Sequence, residues 1–92
     1  MRFTWTETKR RINLAKHGLD FADAKKVFAG PMVLFEDQRS EYSEQRMIGV
    51  GLPGELVVLI VHVESDAVIH VISMRKADNH ETNLYFQSAG YF

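Results

Sequence analysis

The apolar positions change period near Met32. Before that point, Arg2-Phe-Thr-Trp5 alternates as a short strand does, and Thr6 followed by Glu7 opens a helical stretch that runs to His17 and stops at Gly18. Lys9, Asn13 and Lys16 or His17 share one face of that helix. Asp20, with Asp23 three residues on, reads as the N-cap of a second helix. Its Phe21, Ala24 and Phe28 recur at helical spacing until Gly30-Pro31 ends it. From Met32 to Met74 the pattern becomes β-branched and aliphatic, in the runs 32–35, 46–51, 56–63 and 67–74. A polar loop, Leu52-Pro-Gly-Glu55 and Ser65-Asp66 separate them. The run Leu56 to Val61 is apolar on both faces, as a central strand would be. A segment from Ala77 to about Tyr85 has helical composition. The expected fold is α+β: a short N-terminal strand and two helices packed on a mainly antiparallel sheet of about four strands, then a C-terminal helix.

Composition bounds this picture. With 92 residues and 46% hydrophobic content the chain supports one core, and residues 1–92 read as a single domain. Asn83-Leu-Tyr-Phe-Gln-Ser88 resembles the recognition site of the tobacco-etch-virus protease, with Thr82 where that site has Glu, so residues after about 86 read either as native chain or as a disordered or added tail. There are no cysteines, which removes disulfides, thiolate metal sites and thiol redox chemistry. The longest apolar run falls far short of the roughly 18–20 residues that span a bilayer, and no export signal follows Met1, so a cytoplasmic protein is expected.

The formal charge of -1 argues against generic nucleic-acid binding. Its distribution alters that conclusion. Arg2, Lys9, Arg10, Arg11, Lys16, Lys25 and Lys26 outnumber the acids Glu7, Asp20 and Asp23 in residues 1–26, whereas residues 27–66 are acidic. One end of the molecule is basic and can attract either RNA or an acidic partner protein.

Several elements, in order and spacing, carry a family resemblance: Trp5-Thr-Glu-Thr-Lys9, Asn13-Leu-Ala-Lys-His-Gly18, Asp20-Phe21 with Ala24 and Phe28, Glu44-Gln-Arg46, Val61-His-Val-Glu64 and Ile72-Ser-Met-Arg-Lys-Ala77. From Trp5 to about Tyr85 they resemble the BrnT toxins of bacterial type II toxin–antitoxin pairs. The resemblance implies a RelE-like fold, metal-independent RNA cleavage with no cofactor, growth inhibition, and neutralisation by a BrnA-type antitoxin that supplies the DNA-binding half of the complex. It also allows a homodimer or a toxin–antitoxin heterotetramer. The chain departs from the family pattern at Thr6, where Asp is frequent, and at Ser65 and His70, where Arg is common.

Cleaving RNA without a metal requires a base for the 2′-hydroxyl, cations for the phosphate and an acid for the leaving 5′-oxygen. The candidates are Arg46 and Arg75 for the phosphate, and His17, His62 or Glu64 for proton transfer. Lys9, Lys16, Lys76 and His70 would hold the RNA. Two-residue turns centred on Pro53-Gly54 and Ser65-Asp66 would set Arg46 opposite Val61 and Val61 opposite His70. Arg46 and His70 would then lie on one face about 10 Å apart, and His62 and Arg75 on the other about 20 Å apart. A one-residue slip would invert these faces.

Each candidate also has a structural explanation. His62 ends an apolar strand, Glu44 and Arg46 can pair on the surface, Lys16 and His17 suit a helix C-terminus, and Trp5 can anchor a core. No metal-ligand spacing, Gly-rich phosphate loop or serine elbow occurs. A non-catalytic module that only pairs with an antitoxin-like partner is the alternative reading.

Overall fold

Thr6 and Gly18 bound the first helix in the computed structural model, which describes residues 1–39, 41, 44–52 and 56–88. Thr6 Oγ1 accepts from the N–H of Lys9, and Gly18, at φ 71°, returns its N–H to the carbonyl of Leu14. Glu7 in the first turn and Lys16 and His17 in the last complement the dipole of this helix, α1 (Glu7–His17). Asp20 caps as the sequence predicts, its Oδ1 accepting from Ala22 at 2.9 Å, but it caps a single 3-10 turn that leads into the short helix α2 (Ala24–Phe28).

The strands are β1 (Arg2–Thr4), β2 (Met32–Glu36), β3 (Met47–Gly51), β4 (Val58–Ser65) and β5 (Val68–Lys76). They form one mixed sheet in the order β1-β5-β4-β3-β2. The predicted meander supplies four of them, and β1 adds a fifth by pairing parallel to β5. One face of the sheet carries Val58, Ile60, Ile69, Val71 and Met74 and is covered by Phe21, Ala24 and Val27; Trp5 packs edge-on against Phe21 as a core anchor. Ile48, Val50, Leu59 and Val61 line the other face under Tyr85. Cover on both sides explains the unbroken apolar run of β4.

Tyr85 belongs to α3 (Asn79–Ser88). Asp78 Oδ1 accepts from the N–H of Glu81, and Glu81 Oε1 accepts from the N–H of Asp78, a reciprocal cap at the start of this helix. The segment Asn83–Ser88 is helical, with Tyr85 fully buried and its hydroxyl donating to the Pro31 carbonyl at 2.9 Å. Residues 89–92, part of the expected tail, lie outside the described residues, as does the Pro53-Gly54 turn.

The pairing register differs from expectation. Ser65 pairs with Val68, so the β4–β5 turn is Asp66-Ala67, with Ala67 in the left-handed region at φ 63°. His70 lies opposite Val63, and Val61 opposite Ser73 on one side and Ile48 on the other. A bulge between Val61 and His62 inserts one residue into β5, changing the face on which every later β5 side chain stands.

Beyond β1, the edge of β5 is closed by a side chain. Asn13, the buried residue of α1, accepts from the Met74 N–H at 3.1 Å and donates to the Met74 carbonyl at 2.8 Å and to the Leu19 carbonyl at 3.1 Å. The amide replaces the strand that has ended. Replacing Asn13 with Leu strands two buried backbone groups of Met74 and the half-buried Leu19 carbonyl, and is expected to cost about 2–4 kcal/mol. Urea unfolding measures this, and a loss below about 1 kcal/mol would show that α1 is held by other contacts.

Candidate functional site

The bulge decides which charges share a surface. Arg75 pairs with Leu59 and Ser73 with Val61, so both stand on the α3 face of the sheet. His70, opposite Val63, is on the same face. Arg46 immediately precedes β3, and the alternation of Ile48 and Val50 carries it there too. His62 pairs with Met47 and Val71 on the opposite, helix-covered face. The expectation that His62 and Arg75 share a face is thus overturned, because the inserted residue rotates Arg75 to the side of Arg46.

His62 is fully buried. Its ring meets Phe28 edge-on at 5.0 Å, and its nitrogens lie 3.4 Å from the Ile60 carbonyl and 3.1 Å from Glu64 Oε2. Gly49 lies beside it, and a Cβ there would crowd the end of Met32 at 2.5 Å while meeting the His62 ring at an ordinary 3.4 Å. Lys76, opposite Val58, stands on the face covered by Phe21, Ala24 and Val27, away from its neighbour Arg75.

Two concave regions flank β5. The first, about 260 Å³, is lined by Lys9, Ile12, Asn13, Lys16, His17, Ile72 and Ser73. It brings together three of the predicted side chains, contains no carboxylate, and is held in place by the Asn13 amide beneath it. His70 stands apart from it, its Nδ1 2.9 Å from Thr4 Oγ1.

A second groove of about 380 Å³ includes Phe35, Asp37, Arg39, Ile48, Leu59, Arg75 and Glu81 in its lining. Here each arginine has a carboxylate partner. Glu81 receives Arg75 through two bonds of 2.8 Å, and Asp37, its carboxylate fully buried, receives Arg39 through two more of 2.8 Å. Hydrogen bonds from Arg75 hold the Glu81 carboxyl below its ordinary 4.5, and the same contact raises the Arg75 guanidinium while the charge of Arg39 works against it. Arg46 meets Glu44 at 3.3 Å, and its carbonyl accepts from the Asp37 N–H.

Ser73 lines the first region and Arg75 the second, two residues and about 7 Å apart on one strand face. Sequence reasoning did not single out Arg39, Phe35, Ser73 or Glu81. The Asp37-x-Arg39 spacing and the Asp78-x-x-Glu81 cap were the available signals.

Among the described residues no group of three His, Asp or Glu side chains gathers as a metal site would, and no helix is long and apolar enough to cross a membrane. Residues 5–81 match the family described as the ribonuclease toxin BrnT of type II toxin–antitoxin systems. Among solved structures, the crystal structure of the Brucella abortus ribonuclease toxin BrnT is similar at 30% identity and a TM-score of 0.66, over 86% of this chain and 99% of that one. No curated protein sequence matches significantly.

The Arg75–Glu81 pair has a pH signature. Because the fold depresses the Glu81 carboxyl, its ionised form stabilises the protein above the ordinary value of 4.5, and that contribution is lost as pH falls through the folded value. Glu81→Gln is expected to lower stability by roughly 1 kcal/mol at neutral pH, with the difference from the unsubstituted protein closing in acid. Urea titrations at several pH values measure it, and a pH-independent difference would remove the ion pair as its source.

Proposed function

The chain belongs to the BrnT family of ribonuclease toxins of type II toxin–antitoxin systems, and from that premise we propose that it is a metal-independent endoribonuclease whose phosphate site is the basic pocket between α1 and β5. The observation that carries the reading is the convergence of Lys9, Lys16 and His17 on Ser73 without a carboxylate among the lining residues. An ammonium next to a carboxylate is already neutralised; these face a cavity that a phosphate can enter.

In the proposed reaction the 2′-oxygen attacks phosphorus as its proton leaves, and the bond to the 5′-oxygen breaks. The products are a 2′,3′-cyclic phosphate and a free 5′-hydroxyl. Lys9 and Lys16 offset the charge growing on the non-bridging oxygens. His17, exposed at the end of α1, exchanges protons with the reacting oxygens. Arg75 and Arg46, on the same sheet face, take flanking phosphates once these compete with Glu81 and Glu44. We assign His62 to packing of the helix face, because a ring with no exposed surface cannot reach RNA, and Glu64, itself exposed, to pairing with that ring at 3.1 Å. Lys76 and His70 contribute, in this reading, only to the surrounding field. The proposed inhibitor is a BrnA-type antitoxin, through which the pair reaches DNA, and free toxin slows bacterial growth.

Pure protein in EDTA is expected to cleave single-stranded RNA and leave cyclic-phosphate ends. His17→Gln should lower the rate about 100-fold or more, the usual scale of general acid–base assistance, with no change in the unfolding midpoint. Intact RNA after prolonged incubation would reject the enzyme and leave the antitoxin-binding module. Growth arrest on expression, relieved by the Lys16→Gln, His17→Gln double variant, tests the toxin role in cells.

A further inference from the structure

The cross-strand register connects the two concave regions. Ser73 pairs with Val61, Val61 with Ile48 and Ile48 with Phe35, so one row spans four strands from the basic pocket to the outer strand β2; Val61 and Ile48 are buried, and the row sets the spacing of its two ends, not the surface a strand would follow. Three strand spacings set its ends about 14 Å apart. That distance suits two to three nucleotides of an extended single strand. At the far end Phe35 is 47% exposed, an unusual state for an aromatic ring, and it lines the groove that also holds Arg39 and Arg75. It also lines an apolar cleft with Val33, Leu84 and Tyr85.

We propose that this groove is a single-stranded nucleotide subsite, in which Phe35 stacks on a base and Arg39 and Arg75 hold the adjoining phosphate; it rests on the ribonuclease reading above and names where the substrate strand leaves the reaction pocket. Phe35 offers a π face that any base can use, and guanidinium groups beside an aromatic ring are the usual partners of an unpaired strand. Arg39 is pre-set for this role: Asp37, buried beneath it, fixes the fork, and 61% of the Arg39 side chain is exposed.

The acids of the groove define what kind of subsite it is. Glu81 occupies the Arg75 fork as a carboxylate counterpart of a phosphate, and the incoming phosphate takes its place. With Glu36, Asp37 and Glu81 beside two arginines the groove has no net positive charge. Binding there is driven by stacking, whereas binding in the Lys9, Lys16 and His17 pocket is driven by counterion release. The two parts of the path therefore differ in salt dependence.

The probe is a short single-stranded oligonucleotide, 2′-O-methylated throughout so that binding is read without cleavage. Phe35→Leu is expected to weaken its binding about 5- to 100-fold with the salt slope unchanged, and Phe35→Trp to restore it. Lys16→Gln should instead reduce the slope of log affinity against log salt by about 0.7. Glu81→Gln should tighten binding. Exposure of the Phe35 ring makes an unaltered unfolding midpoint the expected control result. Equal binding by Phe35→Leu and the unsubstituted protein overturns the subsite, whether or not that variant also loses neutralisation by an antitoxin, and so does absence of binding by the unsubstituted protein. Phe35-dependent binding with no cleavage of ordinary RNA overturns the nuclease reading alone.

Discussion

The amide of Asn13 joins α1 to the open edge of β5 and so fixes the candidate site between them. Strand β1 pairs with β5 only from Val68 to His70, and past that point the β5 edge would be open. Asn13 answers both backbone groups of Met74, so the helix that carries Lys9, Lys16 and His17 is fixed alongside the strand that bears Ser73 and Arg75. An apolar side chain could bury as much surface, but it could not satisfy the edge. Because the same amide also binds the Leu19 carbonyl, it fixes the turn after α1 and thereby the approach of Phe21 to the core. The position of the lysines and the packing of the helix layer depend on one polar residue.

The bulge at Val61 and His62 performs a second selection. In a regular ladder the 70s of β5 would keep strict alternation, and Arg75 would stand on the face of Val71, beneath the helices. One extra residue returns it to the α3 face. Once there, it is held by Glu81, whose carboxylate also caps α3. The strand's cation and the helix's first turn are thus joined through a single side chain. This offsets the unfavourable placement of Arg75-Lys76 ahead of a helix N-terminus.

Local signals were legible in the sequence and long-range ones were not. Thr6, Gly18 and Asp20 act through groups within four residues of themselves, and each occupies the capping place its chemistry predicts. The shared face of Lys9, Asn13 and Lys16 follows from helical geometry and is found in one pocket. The register is different. Moving the turn by one residue, to Asp66-Ala67, shifts the pairing by two and leaves faces unchanged. The bulge shifts it by one more and inverts them. Ala67 has no side-chain feature that favours a left-handed turn, so nothing in the local sequence announced that position. Arg39 was hidden for a related reason: its role depends on a buried Asp37 and on proximity to Arg75, both products of the assembled sheet.

The two departures that lose a cation, Ser65 and His70, gain meaning from position. Ser65 pairs with Val68 at the hairpin end, five residues and about 17 Å along β5 from Ser73, so a cation missing there lies far from the basic pocket. His70 is closer, about 10 Å from Ser73 on the same face, where a long guanidinium could lean toward a phosphate. The imidazole is shorter and bonded to Thr4 on the edge strand. In the proposed reaction the shorter reach at this position leaves phosphate charge to the side chains that line the pocket. In this chain those are Lys9 and Lys16, on a helix that Asn13 cannot release without opening the sheet.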